Sequence, residues 1–99
     1  MDFKKQRDLA IIKMCSERGS EIKASELELD NMAKEIGKLI AERDFLDAMG
    51  MDQDSNYTQL CNKISILTAD YATELENFKE KKKLLEKEMA TLTYLLDEK

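Results

Sequence analysis

The chain contains no proline, no histidine and no tryptophan, and only three of its 99 residues are glycine. Tight turns, bulges and irregular loops depend on proline and glycine, so this chain has few places to reverse its direction. Charged residues make up 37% and hydrophobic residues 42%, with Ala, Glu, Lys, Leu, Met and Asp dominant. That composition is typical of long helices. We therefore predict an all-α protein.

The absence of histidine removes the side chain that most often acts as a general base near neutral pH. The two cysteines, Cys15 and Cys61, form no CxxC motif and have no evident activating partner. We predict that each is a buried small apolar residue, with a reactive thiol or an intermolecular disulfide as the alternatives. A glycine-rich phosphate loop is also missing. We therefore predict a protein that is not an enzyme, and we expect no catalytic residue, no cofactor and no metal.

One short acidic segment resembles a calcium loop. Asp52-Gln53-Asp54-Ser55-Asn56 matches the first, third and fifth ligand positions of an EF-hand. Tyr57 then stands where the loop needs glycine, and Lys63 stands where it needs a bidentate glutamate. A lysine in that place would repel the ion, so we interpret these acids as helix-capping groups.

Neither half of the chain is strongly basic. Residues 1–50 carry 9 basic and 11 acidic groups, residues 51–99 carry 7 and 10, and the net charge is −5. Nucleic-acid binding needs a basic surface, so we expect no nucleic-acid partner. The apolar stretch Leu9–Ile12 near the N terminus ends at Lys13, well short of a membrane span. We expect no membrane insertion and a cytoplasmic location.

The chain has one cluster of turn residues, Ala48–Asn56. Gly50 suits the end of one helix, and Asp54 or Ser55 suits the start of the next. The cluster divides the chain into two arms, at about 2–47 and about 55–97, joined by a turn at about 48–54. A short connection makes consecutive helices antiparallel neighbours. We predict a single domain, 1–99, formed by a long antiparallel helical hairpin of coiled-coil type.

The first arm carries apolar residues at the a and d positions of a seven-residue repeat. Eight of the eleven positions are apolar; Ile12, Ala33 and Ile40 widen the stripe at e, and glutamates fill the g positions. The repeat passes Gly19 without a change of phase, so we predict one helix, with a break at Gly19 as the alternative. The a and d positions are Ile11, Cys15, Arg18, Ile22, Ser25, Leu29, Met32, Ile36, Leu39, Arg43 and Leu46. The g positions are Glu21, Glu28, Glu35 and Glu42.

The second arm has an apolar stripe with spacings of three and four residues, averaging close to the 3.6-residue helical period. A run of three lysines, Lys81–Lys83, interrupts it, and we predict that these lysines pair with acidic residues of the first arm. The stripe residues are Tyr57, Leu60, Ile64, Leu67, Tyr71, Leu75, Phe78, Leu85, Met89, Leu92 and Leu96.

Folding the arms about residues 51 and 52 pairs positions whose numbers sum to about 103. This register places Glu21 against Lys82 and Ser25 opposite Phe78. It also places Cys15 near residue 88 and the second cysteine near residue 42, so we predict no disulfide within one chain.

A lone helical hairpin buries one stripe on each helix, and such a thin core usually needs support. Apolar residues also lie outside the two stripes. We interpret them as a second contact face that completes a helical bundle with another copy (a homodimer or higher assembly) or with another helical protein. The candidate interface residues are Phe3, Phe45, Leu84 and Tyr94. We predict a protein–protein interaction module with an assembly, adaptor or chaperone-like role.

Two alternatives come from the same features. The hairpin length and the segment Tyr94–Glu98 resemble the WXG100 secreted helical hairpins, whose C-terminal signal is Tyr-x-x-x-Asp/Glu. This resemblance implies a small substrate or chaperone of a secretion system, although Ala48-Met49-Gly50 lacks the family's tryptophan. The other alternative is a viral or phage inhibitor that binds one target protein.

The segment Leu29–Arg43 resembles the long helix of the all-α chorismate mutases, which carry a similar Leu/Ile-rich run ending in Glu-Arg. That resemblance implies an enzyme that holds a dicarboxylate in a cage of cations. Lys23 and Asp54 stand where the family has a second arginine and a lysine. Without that cage a dicarboxylate would not be held, so we do not predict this activity.

Overall fold

The structure, a computed structural model, describes residues 2–97. These residues form two helices, α1 (Phe3–Ala48) and α2 (Ser55–Asp97), and the described part of the chain contains no strand. The helices pack against each other as an antiparallel hairpin. The predicted all-α hairpin is therefore confirmed. Helix α1 continues through Gly19 without a break, as predicted.

The turn after α1 depends on Gly50, whose φ of 75° lies in the left-handed region that favours glycine. The Gly50 N–H donates to the Asp47 carbonyl at 3.0 Å, and the Met51 N–H donates to the Leu46 carbonyl at 2.9 Å. This pair of bonds is the Schellman motif, which satisfies the last carbonyls of the helix. Glycine therefore ends α1 at this position because the backbone adopts the left-handed conformation there.

Aspartates cap both helices at their N-terminal ends. Asp2 Oδ1 accepts a hydrogen bond from the Lys5 N–H at 3.1 Å, at the start of α1. Asp54 Oδ1 accepts one from the Asn56 N–H at 2.8 Å, at the start of α2. A carboxylate here satisfies a backbone donor that has no partner within the helix. Of the two residues predicted to cap α2, the structure selects Asp54, so this acid of the calcium-loop-like segment has a capping role.

The core follows the two predicted stripes. Every predicted stripe residue of both helices is buried or half-buried. Ile12 and Ala33, which we expected to widen the first stripe, are exposed instead, and Ile12 is 52% accessible. Because only one helix packs against α1, the contact covers little more than the a and d positions. The buried apolar residues are Ile11, Leu29, Leu39, Ile64, Leu85 and Leu92.

Contacts divide the hairpin into two units, each with parts of both helices. Unit 1 consists of Met1–Glu26 and Asn77–Lys99, and unit 2 is Leu27–Glu76. Three of the six buried residues belong to each unit. The single-domain assignment of residues 1–99 stays a prediction.

Cross-helix contacts in unit 1 lie close to the predicted register. The Cys15 thiol donates to the Met89 carbonyl at 3.9 Å, one residue from its predicted neighbour. Arg18 Nε lies 3.3 Å from Glu88 Oε1. Both cysteines are free thiols, and both are half-buried.

The predicted pair Glu21–Lys82 is wrong by one residue. Lys81 Nζ lies 3.0 Å from Glu21 and 3.5 Å from Ser25 Oγ. Lys82 pairs with Glu26 at 3.7 Å instead. Consecutive helical residues point about 100° apart, so neighbouring lysines reach opposite edges of the contact with α1. Lysines of the run do pair with acids of the first helix, as predicted.

Candidate partner-binding surface

Several large apolar side chains of both units face solvent. All four predicted interface residues are among them: Phe3 is 75% exposed, Phe45 62%, Leu84 59% and Tyr94 67%. Scattered exposed apolar side chains are common, so exposure alone does not define an interface. The role of these four residues in binding stays a prediction. The remaining exposed residues are Leu9, Ile12, Met14, Leu27, Met49, Met51 and Ile66.

Phe45 borders a groove in unit 2, which we call the turn groove. It has a volume of about 710 Å³, and both helices contribute to its lining. The apolar part comes from Leu39, Phe45 and Leu46 of α1 and from Leu60 of α2. Phe45 is exposed while Leu39 is 5% accessible, so the groove leads from the surface to the core. An apolar side chain of a partner could fill this space.

A smaller groove in unit 2 has an acidic rim, and we call it the acidic groove. Its volume is about 300 Å³, and Met32, Ile36 and Leu67 form its apolar part. The charged residues lining it are Glu28 and Glu35, which lie seven residues apart on one face of α1. Both belong to the acidic flank predicted from the heptad pattern. This groove can accept an apolar side chain accompanied by a cation.

A third groove lies in unit 1, and we call it the basic groove. Its volume is also about 300 Å³, and exposed Leu84 and buried Leu92 form its apolar part. Arg18, Lys87 and Glu88 line it as well. The Arg18–Glu88 ion pair is only a quarter to a third exposed, so these two charges largely compensate each other. Lys87 then gives the groove a net positive charge.

The two units differ strongly in charge. The described residues of unit 1 include 11 basic and 9 acidic ones, a formal net charge of +2, whereas unit 2 has 4 basic and 11 acidic residues, a net charge of −7. The two halves of the sequence show no such difference. It arises because antiparallel packing joins the first part of α1 to the last part of α2, and these parts contain most of the lysines.

Tyr57 lies half-buried near the start of α2. Desolvation by burial raises the pKa of its hydroxyl above the ordinary value near 10, and the Asp47 carboxylate and the Cys61 thiol act in the same direction. Arg43 opposes the shift. The hydroxyl therefore remains protonated to higher pH than that of an ordinary tyrosine.

Within residues 2–97, no three His, Cys, Asp or Glu side chains come together in a group that could hold a metal ion. Neither α1 nor α2, as described, contains a stretch both long and apolar enough to cross a membrane. Glu98, the last residue of the secretion-like Tyr94–Glu98 segment, lies outside the described residues.

No family model matches this chain, and comparison with curated proteins and with solved structures gives no match. The sequence pattern identified the exposed residues Phe45 and Leu84 but not the grooves beside them. A groove depends on how two helices approach each other, and one helix's periodicity does not contain that information. The sequence feature that could have indicated a groove is the run of glutamates at the g positions, because two of these glutamates line the acidic groove.

Proposed function

We propose that this protein is a non-enzymatic interaction module that binds a helical protein through its exposed apolar residues and grooves. The observation that carries the proposal is the set of large apolar side chains that each unit leaves in solvent, eleven in the described part of the chain. A protein–protein interface inserts apolar anchors into pockets near its centre. Exposed apolar side chains that border grooves supply both the anchors and the pockets.

The form of the grooves favours a helix as the ligand. Each groove combines a few apolar side chains with charged residues at its edge. An amphipathic helix presents apolar side chains three and four residues apart, flanked by charges, and inserts them into apolar grooves of this kind. Packing a further helix against the hairpin would also bury Phe45 and Leu84, which the two-helix core leaves in solvent.

Binding also fits the chemistry of the side chains better than catalysis does. The chain has no histidine, and its carboxylates and lysines lie mainly on exposed helix faces. Charges in such positions usually keep a protein soluble and set the orientation of its partners.

Site-specific photo-crosslinking tests this function. A photoreactive amino acid is placed at Phe45 or Leu84, and at Lys34 as a control whose side chain is 73% exposed. In cells that express the protein natively, we expect one defined crosslinked protein at Phe45 and Leu84 and none at Lys34. With the purified partner, Phe45→Ser should weaken binding by about 30-fold, the effect of removing a central anchor. Equal crosslinking at all three positions would contradict the proposal.

A further inference from the structure

The structure shows a charge difference that the proposed function does not explain. Unit 1 is weakly positive and unit 2 is strongly negative, within one chain. We propose that the helical partner is a second copy of this chain, with unit 1 of one copy against unit 2 of the other. This inference rests on the proposed function and names its partner.

Charge decides the orientation of the two copies. Matching unit 2 with unit 2 would bring two surfaces of net charge −7 together, which long-range repulsion opposes. Matching unit 1 with unit 2 instead places a surface of net charge +2 against a surface of net charge −7. In a dimer with two-fold symmetry each favourable contact occurs twice, because the interface is formed by the same surface of both copies. The opposite-unit arrangement is therefore the one that electrostatics favours.

The two smaller grooves are opposite in charge, and each is partly apolar. The basic groove of unit 1 and the acidic groove of unit 2 each have a volume of about 300 Å³. Leu84 projects from the edge of the first, and Lys87 lies three residues later on the same face of α2. In the acidic groove, apolar residues lie beside Glu28 and Glu35. An apolar side chain with an adjacent cation matches this groove, so Leu84 and Lys87 of one copy fit the acidic groove of the other.

Both units supply apolar residues to such an interface. Leu84 and Tyr94 are exposed in unit 1, and Leu27 and Phe45 are exposed in unit 2. Placing unit 1 of one copy against unit 2 of the other would remove apolar side chains of both units from water, which favours association.

Charge reversal at Lys87 and Glu35 tests the arrangement. In the proposed dimer these residues face each other across the interface, so K87E alone places two glutamates together and E35K alone places two lysines together. We expect each single variant to raise the dimer dissociation constant by about tenfold or more. The double variant K87E/E35K should restore the wild-type value. An equimolar mixture of the two single variants should also restore association, because each contact in the mixed dimer joins opposite charges.

Light scattering coupled to size exclusion, over a dilution series, measures these dissociation constants. The wild type should have twice the 11.4 kDa chain mass at high concentration. K34E makes the same charge change as K87E on an exposed position in unit 2, and it should not weaken the dimer. Circular dichroism at matched concentration confirms that each variant remains helical. If both single variants dimerise like the wild type, the proposed arrangement is wrong.

The outcome also separates this inference from the proposed function. A protein that stays monomeric at every concentration, yet crosslinks to a different protein through Phe45 and Leu84, overturns the second-copy inference and leaves the proposed function in place. A monomer with no specific crosslink at either position overturns both.

Discussion

A Cβ atom added to Gly19 would lie 3.7 Å from Met89 Cε, across the contact between α1 and α2 in unit 1. That separation is an ordinary van der Waals contact, so the helix interface has room for alanine at this position. Glycine inside a helix is less favourable than alanine because it loses more backbone entropy on folding. The chain therefore contains a glycine within α1 that its own packing does not require.

Gly19→Ala should raise the free energy of unfolding by about 0.5–1 kcal/mol. Gly37 is a matched control, since a Cβ at that position would meet no atom within 4 Å. Gly37→Ala should give a similar gain, which urea unfolding at one fixed protein concentration can measure. A loss of stability in Gly19→Ala alone would show that Met89 cannot accommodate the added methyl group.

Gly50→Ala should have the opposite effect. The φ of 75° places this residue in the left-handed region, where an alanine is less stable by about 1–2 kcal/mol. The open space around Gly50 does not reduce this cost, because the strain of an added side chain comes from the backbone conformation and not from a neighbouring atom. The same urea experiment should show destabilisation for Gly50→Ala and a smaller loss for Gly50→Asn, since asparagine tolerates this conformation better. Equal stability of Gly50→Ala and the wild type would contradict the Schellman turn.

Leu39 and Phe45 should respond differently to truncation. Leu39 is 5% accessible, so Leu39→Ala removes core contacts and should lower the free energy of unfolding by about 2–5 kcal/mol. Phe45 is exposed, and Phe45→Ala should change it by less than about 0.5 kcal/mol at concentrations where the protein is monomeric. Thermal unfolding, monitored by circular dichroism, distinguishes the two variants. A large loss in dilute Phe45→Ala would mean that this side chain belongs to the hairpin's own core.

Alkaline pH should destabilise the fold through Tyr57. The pKa of its hydroxyl is higher in the folded chain than the ordinary value near 10, chiefly because burial disfavours the phenolate. Between these two pKa values the folded state binds more protons than the unfolded state, so stability falls as the pH rises through that window. Below about pH 10 the contribution is fully present.

Tyr57→Phe should therefore lose less stability than the wild type as the pH is raised above 10. The difference between tyrosinate absorbance titrations of the wild type and of Tyr57→Phe isolates this one hydroxyl. Its midpoint should lie above pH 10, and a midpoint at or below pH 10 would refute the assigned environment.

Much of the fold could be predicted because it depends on local features of the chain. The recurrence of apolar residues at helical spacing identified the residues that now lie between α1 and α2, from Ile11 to Leu96. Gly50 and Asp54 identified the turn, since a left-handed backbone and an unpaired N–H each require particular side chains. Each of these features involves residues that lie close together along the chain, so the sequence by itself determined the stripes and the turn.

The tertiary structure alone decided which side chains meet across the hairpin. A one-residue difference changed the partner of Glu21 from Lys82 to Lys81, because small rotations of a helix move neighbouring side chains to different edges of the contact. The charge difference between the units comes from the antiparallel packing of the two helices. Each half of the sequence is mildly acidic, and only antiparallel packing brings the lysine-rich end of α2 beside the start of α1. Charge at a surface depends on spatial neighbours, which the order of residues along one helix does not specify.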